Sequence, residues 1–134
     1  MISKITVEQP KTIKVKIDSI KIDELDKSLQ PKIEAILKEL TLKGWKPRVA
    51  EGLRTVEQQR EKVRKGYSKT MNSKHLTGRA ADIIDRRYGW NGPASNLNYA
   101  FWNDLGKAAV KQGLVWGGNW KSFKDVAHVE MKNK

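Results

Sequence analysis

The sequence predicts a small single domain of the α+β class, in which a short antiparallel sheet is covered by helices. Two segments carry apolar residues at the 3.6-residue period of a helix, and a third opens with a helix-capping pattern. Short apolar segments bounded by turn-forming residues lie between them and predict strands. The 134 residues suit one core. We expect residues 1–22 to form an N-terminal arm or edge strand and residues 23–134 to form the domain.

The first helix is predicted from about Ser28 to Lys43. Ser28 can cap it, and Pro31 falls in the first turn, where its missing N–H costs little. Gly44 is placed to end the helix in a left-handed conformation. One face of this helix carries the apolar residues Leu29, Ile33, Ile36, Leu37 and Leu40.

A strand and a second helix follow. Lys46–Leu53 reads as a short strand. Thr55 and Gln58 form a T-x-x-Q capping box, which predicts a helix that Gly66 ends. Residues 67–78 show no periodicity and predict a loop.

The second half of the chain predicts three strands and one helix. Arg79–Asp85 is rich in Ala and Ile and predicts a strand, after which a segment dense in turn formers leads to Asn98. Asn98 can cap a third helix that ends at Gly113. Two further strands are expected at Leu114–Trp116 and Ala127–Met131.

Composition excludes several classes of protein. No segment approaches the ~20 apolar residues of a membrane span, so no stable membrane insertion is expected. The absence of Cys excludes disulfides and Cys-ligated metal sites. Lys and Arg exceed Asp and Glu by 12, which suits a polyanionic partner. The basic residues are spread along the chain without the aromatic pattern of nucleic-acid-binding modules, so we expect no nucleic acid partner.

The two histidines lie in the segments most informative about chemistry. His75 precedes Asp82 by seven residues, and His128 lies near the end of the chain. Neutral imidazole is the commonest metal ligand, and a carboxylate can complete a zinc site that lacks thiolates. Two His and one Asp would leave the fourth tetrahedral position open, as in catalytic zinc sites.

The residue pattern alone leaves a second interpretation open. On the predicted strands, Asp82 shares a face with Ala80, and His128 shares a face with Glu130, which favours a common cleft. Histidines near strand ends are nevertheless often structural. The chain would then be a basic, non-enzymatic module that binds polyanions.

The spaced motifs resemble one enzyme family. The pattern S-x-H-x-x-G-x-A-x-D, followed by D-x-x-H-V-E, resembles the zinc D-alanyl-D-alanine carboxypeptidases and L-alanyl-D-glutamate endopeptidases of bacteria and their phages. Upstream, Gly52, Arg54 and Thr55 with Gln58 resemble another segment of the family. Downstream, residues 113–120 resemble the segment before its second His. The resemblance covers about residues 28–131 and implies a zinc cleft in a fold like that of hedgehog domains and D,D-peptidases.

The resemblance implies a role for five residues. His75, Asp82 and His128 would bind one zinc ion per chain. Asp125 would be the general base, and Arg54 would polarise the substrate carbonyl and stabilise the oxyanion. From the residues alone, a glutamate two positions after His128 competes for the role of the base.

Four further residues are candidates for supporting roles. Ser73 matches a residue that lines the substrate site of the family, and Trp120 either walls the cleft or packs in the core. Glu130 and Gln58 are expected to hold a metal ligand or Arg54 in place.

The resemblance therefore implies a peptidoglycan hydrolase. We expect an L-alanyl-D-glutamate endopeptidase of the endolysin type, with a D-alanyl-D-alanine carboxypeptidase as the alternative. Bacterial peptidoglycan would be the substrate, and the charge would attract anionic envelope polymers. We expect a monomer made in the bacterial cytoplasm without a signal peptide, which reaches the cell wall through a separately encoded pore.

Overall fold

A computed structural model describes residues 19–133 of the chain. A helical segment at residues 19–23 precedes the main elements. The predicted arm or edge strand over residues 1–22 lies outside the described residues, except for residues 19–22, which are helical. The main elements are β1 (Pro47–Glu51), β2 (Ala80–Asp85), β3 (Val115–Trp116), β4 (His128–Glu130), α1 (Gln30–Leu42), α2 (Val56–Arg64) and α3 (Ala100–Lys111).

The strands form one antiparallel sheet in the order β1-β2-β4-β3, which confirms the predicted α+β class. Strand β2 lies inside the sheet and is buried along its whole length. Its pairing with β4 sets Asp82 directly opposite His128 and Ala80 opposite Glu130. This register brings two of the predicted metal ligands together on neighbouring strands.

Helix α1 follows the prediction except at its start. Leu29 precedes the helix and makes no capping hydrogen bond through its side chain. The predicted cap at Ser28 is wrong, because the Ser28 N–H instead donates to Asp26 Oδ1 at 2.8 Å in the preceding turn. Pro31 lies in the first turn, and Gly44 follows the helix with φ +95°, both as predicted.

Helix α2 shows the predicted capping box. Thr55 Oγ1 accepts from the Gln58 N–H at 3.0 Å, and Gln58 Oε1 accepts from the Thr55 N–H at 2.9 Å. Helix α3 begins after Tyr99 without a side-chain cap. The predicted cap at Asn98 is wrong, because its N–H donates to Asn96 Oδ1 in an Asx turn before the helix.

One face of the sheet builds the core, where α1 and α3 pack against each other and cover the strands. The opposite face of β2 and β4 carries Asp82 and His128, as the alternation of side chains along a strand requires. The fully buried side chains of the core include Ile33, Ile36, Leu40, Val49, Ile83, Phe101, Trp102, Leu105 and Val129.

Candidate active site

His75 lies in a short 3₁₀ turn, Lys74–Thr77, before strand β2. Ser73 caps this turn, since its Oγ accepts from the His75 N–H at 3.2 Å. Gly78 ends the turn with φ +70°, a conformation that suits glycine. The His75 Nδ1 is 2.7 Å from the Gly52 carbonyl oxygen and donates to it. The lone pair of Nε2 is therefore free to face the neighbouring strand.

Asp82 and His128 face each other across β2 and β4. The Nε2 of His128 is 2.8 Å from Glu130 Oε1 and donates to it, so in the neutral ring Nδ1 keeps a lone pair. Nδ1 of His128 is 3.3 Å from Asp82 Oδ1, and Nε2 of His75 is 3.4 Å from the same oxygen. Two imidazole nitrogens and one carboxylate oxygen, each able to donate a lone pair, thus lie close together.

This arrangement fits a metal ion. One ligand atom from each of His75, Asp82 and His128 lies within 4.8 Å of the other two, and all three residues are buried. In the described part of the chain, His75 Nε2 and Asp82 Oδ1 are buried side-chain atoms without a hydrogen-bond partner. Such atoms are costly to bury, and a cation would satisfy both. In each histidine the N–H of the other ring nitrogen donates to an oxygen, as in metal-ligating histidines.

The electrostatics of the cluster favour positive charge. Burial opposes ionisation of Asp82, but His128 and His75 hold its pKa well below the usual range. Burial likewise opposes the charged form of His128, whereas Asp82 and Glu130 raise its pKa to about 9. A divalent cation bound between the histidines and Asp82 would supply the positive charge that these carboxylates otherwise obtain from a protonated His128.

Asp125 lies beside the cluster at the start of the turn into β4. Its Oδ2 is 3.9 Å from His128 Nδ1, and its side chain is 44% exposed. The Asp125 N–H donates to the carbonyl of Gly117 at 3.0 Å. The two backbones are so close here that a Cβ on residue 117 would overlap Asp125, which explains the glycine. Desolvation, followed by the nearby charge of Asp82, raises the pKa of Asp125. The carboxylate is thus held at the cluster while it remains open to the cleft.

Arg54 lies beside Asp82 and is almost completely buried. Its backbone N–H donates to the His75 carbonyl at 2.9 Å. Its Nε donates to Glu51 at 2.6 Å, and its Nη1 donates to Gln59. Nη2 remains 4.0 Å from Asp82 Oδ2. Hydrogen bonds to Glu51 and Gln59 therefore fix the guanidinium, and its remaining nitrogen, Nη2, faces Asp82.

Gln59 is a residue of this site that the sequence analysis missed. The contact with Arg54 expected of Gln58 is made by Gln59, because Gln58 is used in the exposed capping box. Gln59 is fully buried, and its amide donates to Ser68 Oγ at 2.9 Å and to the Thr70 carbonyl at 2.6 Å. No signal in the sequence distinguishes the two adjacent glutamines, which differ only in the helix face they occupy.

The cluster opens into a cleft of about 1000 Å³. The Trp120 ring lies against His128, with ring centroids 5.1 Å apart, so this tryptophan lines the cleft and does not lie in the core. Across the opening, the Lys69 ammonium is 5.0 Å from the centre of the Phe123 ring. The cleft brings together the sequence-predicted residues Arg54, Ser73, His75, Asp82, Trp120, Asp125, His128 and Glu130.

Known sequences resemble the chain over most of its length. It is 34% identical over 93 residues to the "L-alanyl-D-glutamate peptidase" of Listeria phage A118, an alignment that covers 64% of this chain and 30% of that protein. It is 31% identical over 108 residues to the peptidoglycan L-alanyl-D-glutamate endopeptidase CwlK of Bacillus subtilis, covering 66% of this chain and 62% of that protein. The chain thus spans less than two thirds of either curated relative.

Solved structures show the same fold. The L-Ala D-Glu endopeptidase ChiX of Serratia marcescens superposes with a TM-score of 0.66 and 31% identity, over 86% of each chain. The vancomycin resistance D,D-pentapeptidase VanY, solved in complex with Zn(II), superposes with a TM-score of 0.58 and 19% identity, over 80% of this chain and 72% of VanY. At that identity, VanY supports the fold alone.

A family assignment follows from these matches together. The sequence model of a peptidase family described as D-alanyl-D-alanine carboxypeptidase matches residues 66–131, which contain both histidines and Asp82. The similarity to ChiX extends the match over most of the chain. The chain therefore belongs to the M15 family of peptidases, with which it shares its fold and its motifs.

Proposed function

We propose that this protein is a zinc-dependent L-alanyl-D-glutamate endopeptidase that cleaves the stem peptides of bacterial peptidoglycan. The observation that carries the proposal is the convergence of His75, Asp82 and His128 in a cleft that also holds Asp125 and Arg54. The phage, Bacillus and Serratia relatives are all named for cleavage between L-alanine and D-glutamate, which supports this bond as the one that is cut.

His75 Nε2, Asp82 Oδ1 and His128 Nδ1 are the atoms that would hold the zinc ion, one ion per chain. When bound, zinc supplies a Lewis acid and makes water a nucleophile at neutral pH. The choice of zinc rests on the donor set, since two imidazoles and one carboxylate without thiolates are typical of catalytic zinc sites. Three protein ligands leave room for substrate or water, as in catalytic sites.

Asp125 is proposed as the general base. Its carboxylate lies within 4 Å of a ligand nitrogen and remains accessible to water from the cleft. It would take a proton from the attacking water and return one to the leaving amine. Both oxygens of the competing carboxylate, Glu130, are already occupied, one by His128 and the other by Lys74.

Arg54 is proposed to stabilise the negative charge that develops on the substrate carbonyl oxygen. Its contacts with Glu51 and Gln59 hold the guanidinium before substrate binds. A donor that is already oriented in a mostly buried site costs no reorganisation at the chemical step. Removing such a donor typically costs on the order of 3 kcal/mol of transition-state stabilisation.

Ser73 and Trp120 are proposed to contact substrate. Both line the cleft, and the Trp120 ring covers one side of His128. Ser73 also caps the turn that carries His75, so its hydroxyl has a structural role as well. The cleft carries more basic than acidic side chains, which suits the carboxylates of a stem peptide. The basic ones are Arg54, Lys62, Lys69, Lys74 and Arg79.

A D-alanyl-D-alanine carboxypeptidase is the second candidate. The description of the matching family favours it, and so does the presence in the cleft of cations that could bind a terminal carboxylate. Arg79, for example, makes no ion pair among the described residues. Both candidates require the same metal site and differ in the bond that is cut.

A digest of purified sacculi, analysed by mass spectrometry, tests the proposal. The endopeptidase releases stem peptides that begin with D-Glu and leaves L-Ala on the muramic acid. Loss of terminal D-Ala as the sole product would identify the carboxypeptidase. Zinc-free protein and the Asp125→Asn variant serve as controls. A chain that contains no zinc and releases neither product would be a binding module instead.

We further propose that the enzyme acts at the cell wall, as the phage and Bacillus relatives suggest. Within residues 19–133, no helix is long and apolar enough to span a membrane. Three expectations about the protein stay predictions: that it is attracted to anionic envelope polymers, that it is monomeric, and that it passes through a separate pore. The net charge of +12 is the observation behind the first of these.

A further inference from the structure

Lys74 connects the two segments that carry the histidines. It directly precedes His75 in the 3₁₀ turn, and its ammonium reaches across to strand β4. There, Nζ is 2.7 Å from Glu130 Oε2 and 2.7 Å from the carbonyl oxygen of Met131. The side chains of Lys74 and Glu130 are 20% and 17% exposed, so this ion pair is largely withdrawn from water.

The contact continues to a proposed metal ligand. Glu130 uses its second oxygen, Oε1, to accept from His128 Nε2 at 2.8 Å. That hydrogen bond fixes which ring nitrogen of His128 carries the hydrogen, and it turns Nδ1 toward Asp82. The orientation of His128 therefore depends on a carboxylate whose own orientation depends on Lys74.

We propose that Lys74 is a positioning residue for the metal site, which it preorganises by holding Glu130 against His128 and by tying the turn of His75 to β4. The inference rests on the proposed zinc site, but it concerns the affinity for metal and does not depend on which peptide bond is cut. Lys74 would not bind the metal itself and would act through Glu130 and the turn of His75.

The burial of this pair distinguishes it from ordinary surface ion pairs. Exposed pairs contribute little, because water screens them and both side chains must be ordered. Here the ammonium donates to a carboxylate and to a backbone carbonyl at once, so its position is fixed from two directions. Removing it would leave a largely buried carboxylate with one partner fewer, free to turn away from the histidine.

The dissociation constant for zinc, measured by competition with a chelator and without substrate, tests the proposal. We expect Lys74→Met and Glu130→Gln each to weaken zinc binding about 10- to 100-fold, the range typical of groups that orient metal ligands. The double variant should be little weaker than either single variant, since both remove the same chain of contacts. Lys74→Arg, which keeps a cation and several donors, should recover most of the affinity.

Lys38→Met is the matched control, because Lys38 lies exposed on α1 and its loss removes the same charge. A zinc dissociation constant for Lys74→Met within twofold of the parent value would overturn the proposal, as would losses in the double variant that simply add. A fall in the stability of the metal-free protein with unchanged zinc affinity would show a structural role only and overturn it too. If Lys74→Met does not fold, unchanged affinity in Glu130→Gln has the same force. Failure of the sacculus digest in a zinc-loaded protein would count against the proposed function alone.

Discussion

At the level of single residues, the contacts of Asp125 and Glu130 distinguish two carboxylates that their residue types alone do not. Asp125 and Glu130 lie on either side of His128 and are equally plausible bases by residue type. Glu130 is engaged through both oxygens, whereas Asp125 approaches His128 at 3.9 Å and keeps an exposed edge. A base must have a free oxygen within reach of the water it deprotonates. The contacts therefore favour Asp125.

Asp125→Asn should lower kcat by about 10²- to 10⁴-fold, the usual contribution of a general base. The amide keeps the shape of the side chain but cannot take the proton, so KM should change much less than kcat. The measurement is the rate of stem-peptide hydrolysis over a range of substrate concentrations, which gives kcat and KM separately. His128→Ala is the companion variant: it should lose zinc, while Asp125→Asn should retain it. Parental turnover in Asp125→Asn would require another base.

The residue scale also shows where sequence reasoning reached its limit. The proposed ligands His75, Asp82 and His128 could be predicted because the chain has two histidines and both lie in motifs that resemble the family. Gln59 was not found, since two adjacent glutamines differ only in the helix face they occupy. That choice is made by tertiary packing, which buries Gln59 and leaves Gln58 at the surface.

At the level of helices and strands, helix ends could be predicted from local sequence where no nearby side chain competes for the same backbone N–H groups. The capping box of α2 and the glycine after α1 depend on a few consecutive residues, so they could be predicted. The caps at Ser28 and Asn98 could not. In both places a residue two positions earlier, Asp26 or Asn96, accepts the backbone N–H and forms a separate turn first.

The contact of α3 with β3 provides a prediction in which packing opposes propensity. A Cβ on Gly106 would overlap the six-membered ring of Trp116, whose indole N–H is tied to the Val126 carbonyl at 2.7 Å. Helix propensity predicts that Gly106→Ala stabilises the protein by about 1 kcal/mol. We expect the overlap to dominate and to destabilise it by about 1–3 kcal/mol. Urea unfolding measures the sign.

Lys107→Ala, one position along the same helix, is the control for that measurement. Lys107 is exposed, and its replacement should change the free energy of unfolding by less than about 0.5 kcal/mol. A more stable Gly106→Ala protein would mean that Trp116 can move aside. The indole would then not be fixed between α3 and the segment leading to the cleft.

At the scale of the whole molecule, the sheet separates two functions. One face joins α1 and α3 in a core built from fully buried aliphatic and aromatic side chains. The other face carries the ligand cluster, and its buried polar atoms contribute little hydrophobic stabilisation. The hydrophobic core that stabilises the fold and the candidate active site therefore lie on opposite faces of β2 and β4.

Removal of zinc should consequently abolish hydrolysis but leave the fold intact. Small zinc-finger domains unfold without metal because they lack a sufficient core, whereas the core of this protein forms without the proposed metal ligands. The far-UV circular dichroism of the chelator-treated protein should match that of the zinc-loaded protein. Added zinc should then stabilise the native state by mass action, by about 2.7 kcal/mol at a free concentration 100 times the dissociation constant. In His128→Ala this dependence of the melting temperature on zinc should disappear, because one of three ligands is missing. A metal-free protein without cooperative unfolding would show instead that the fold depends on the metal.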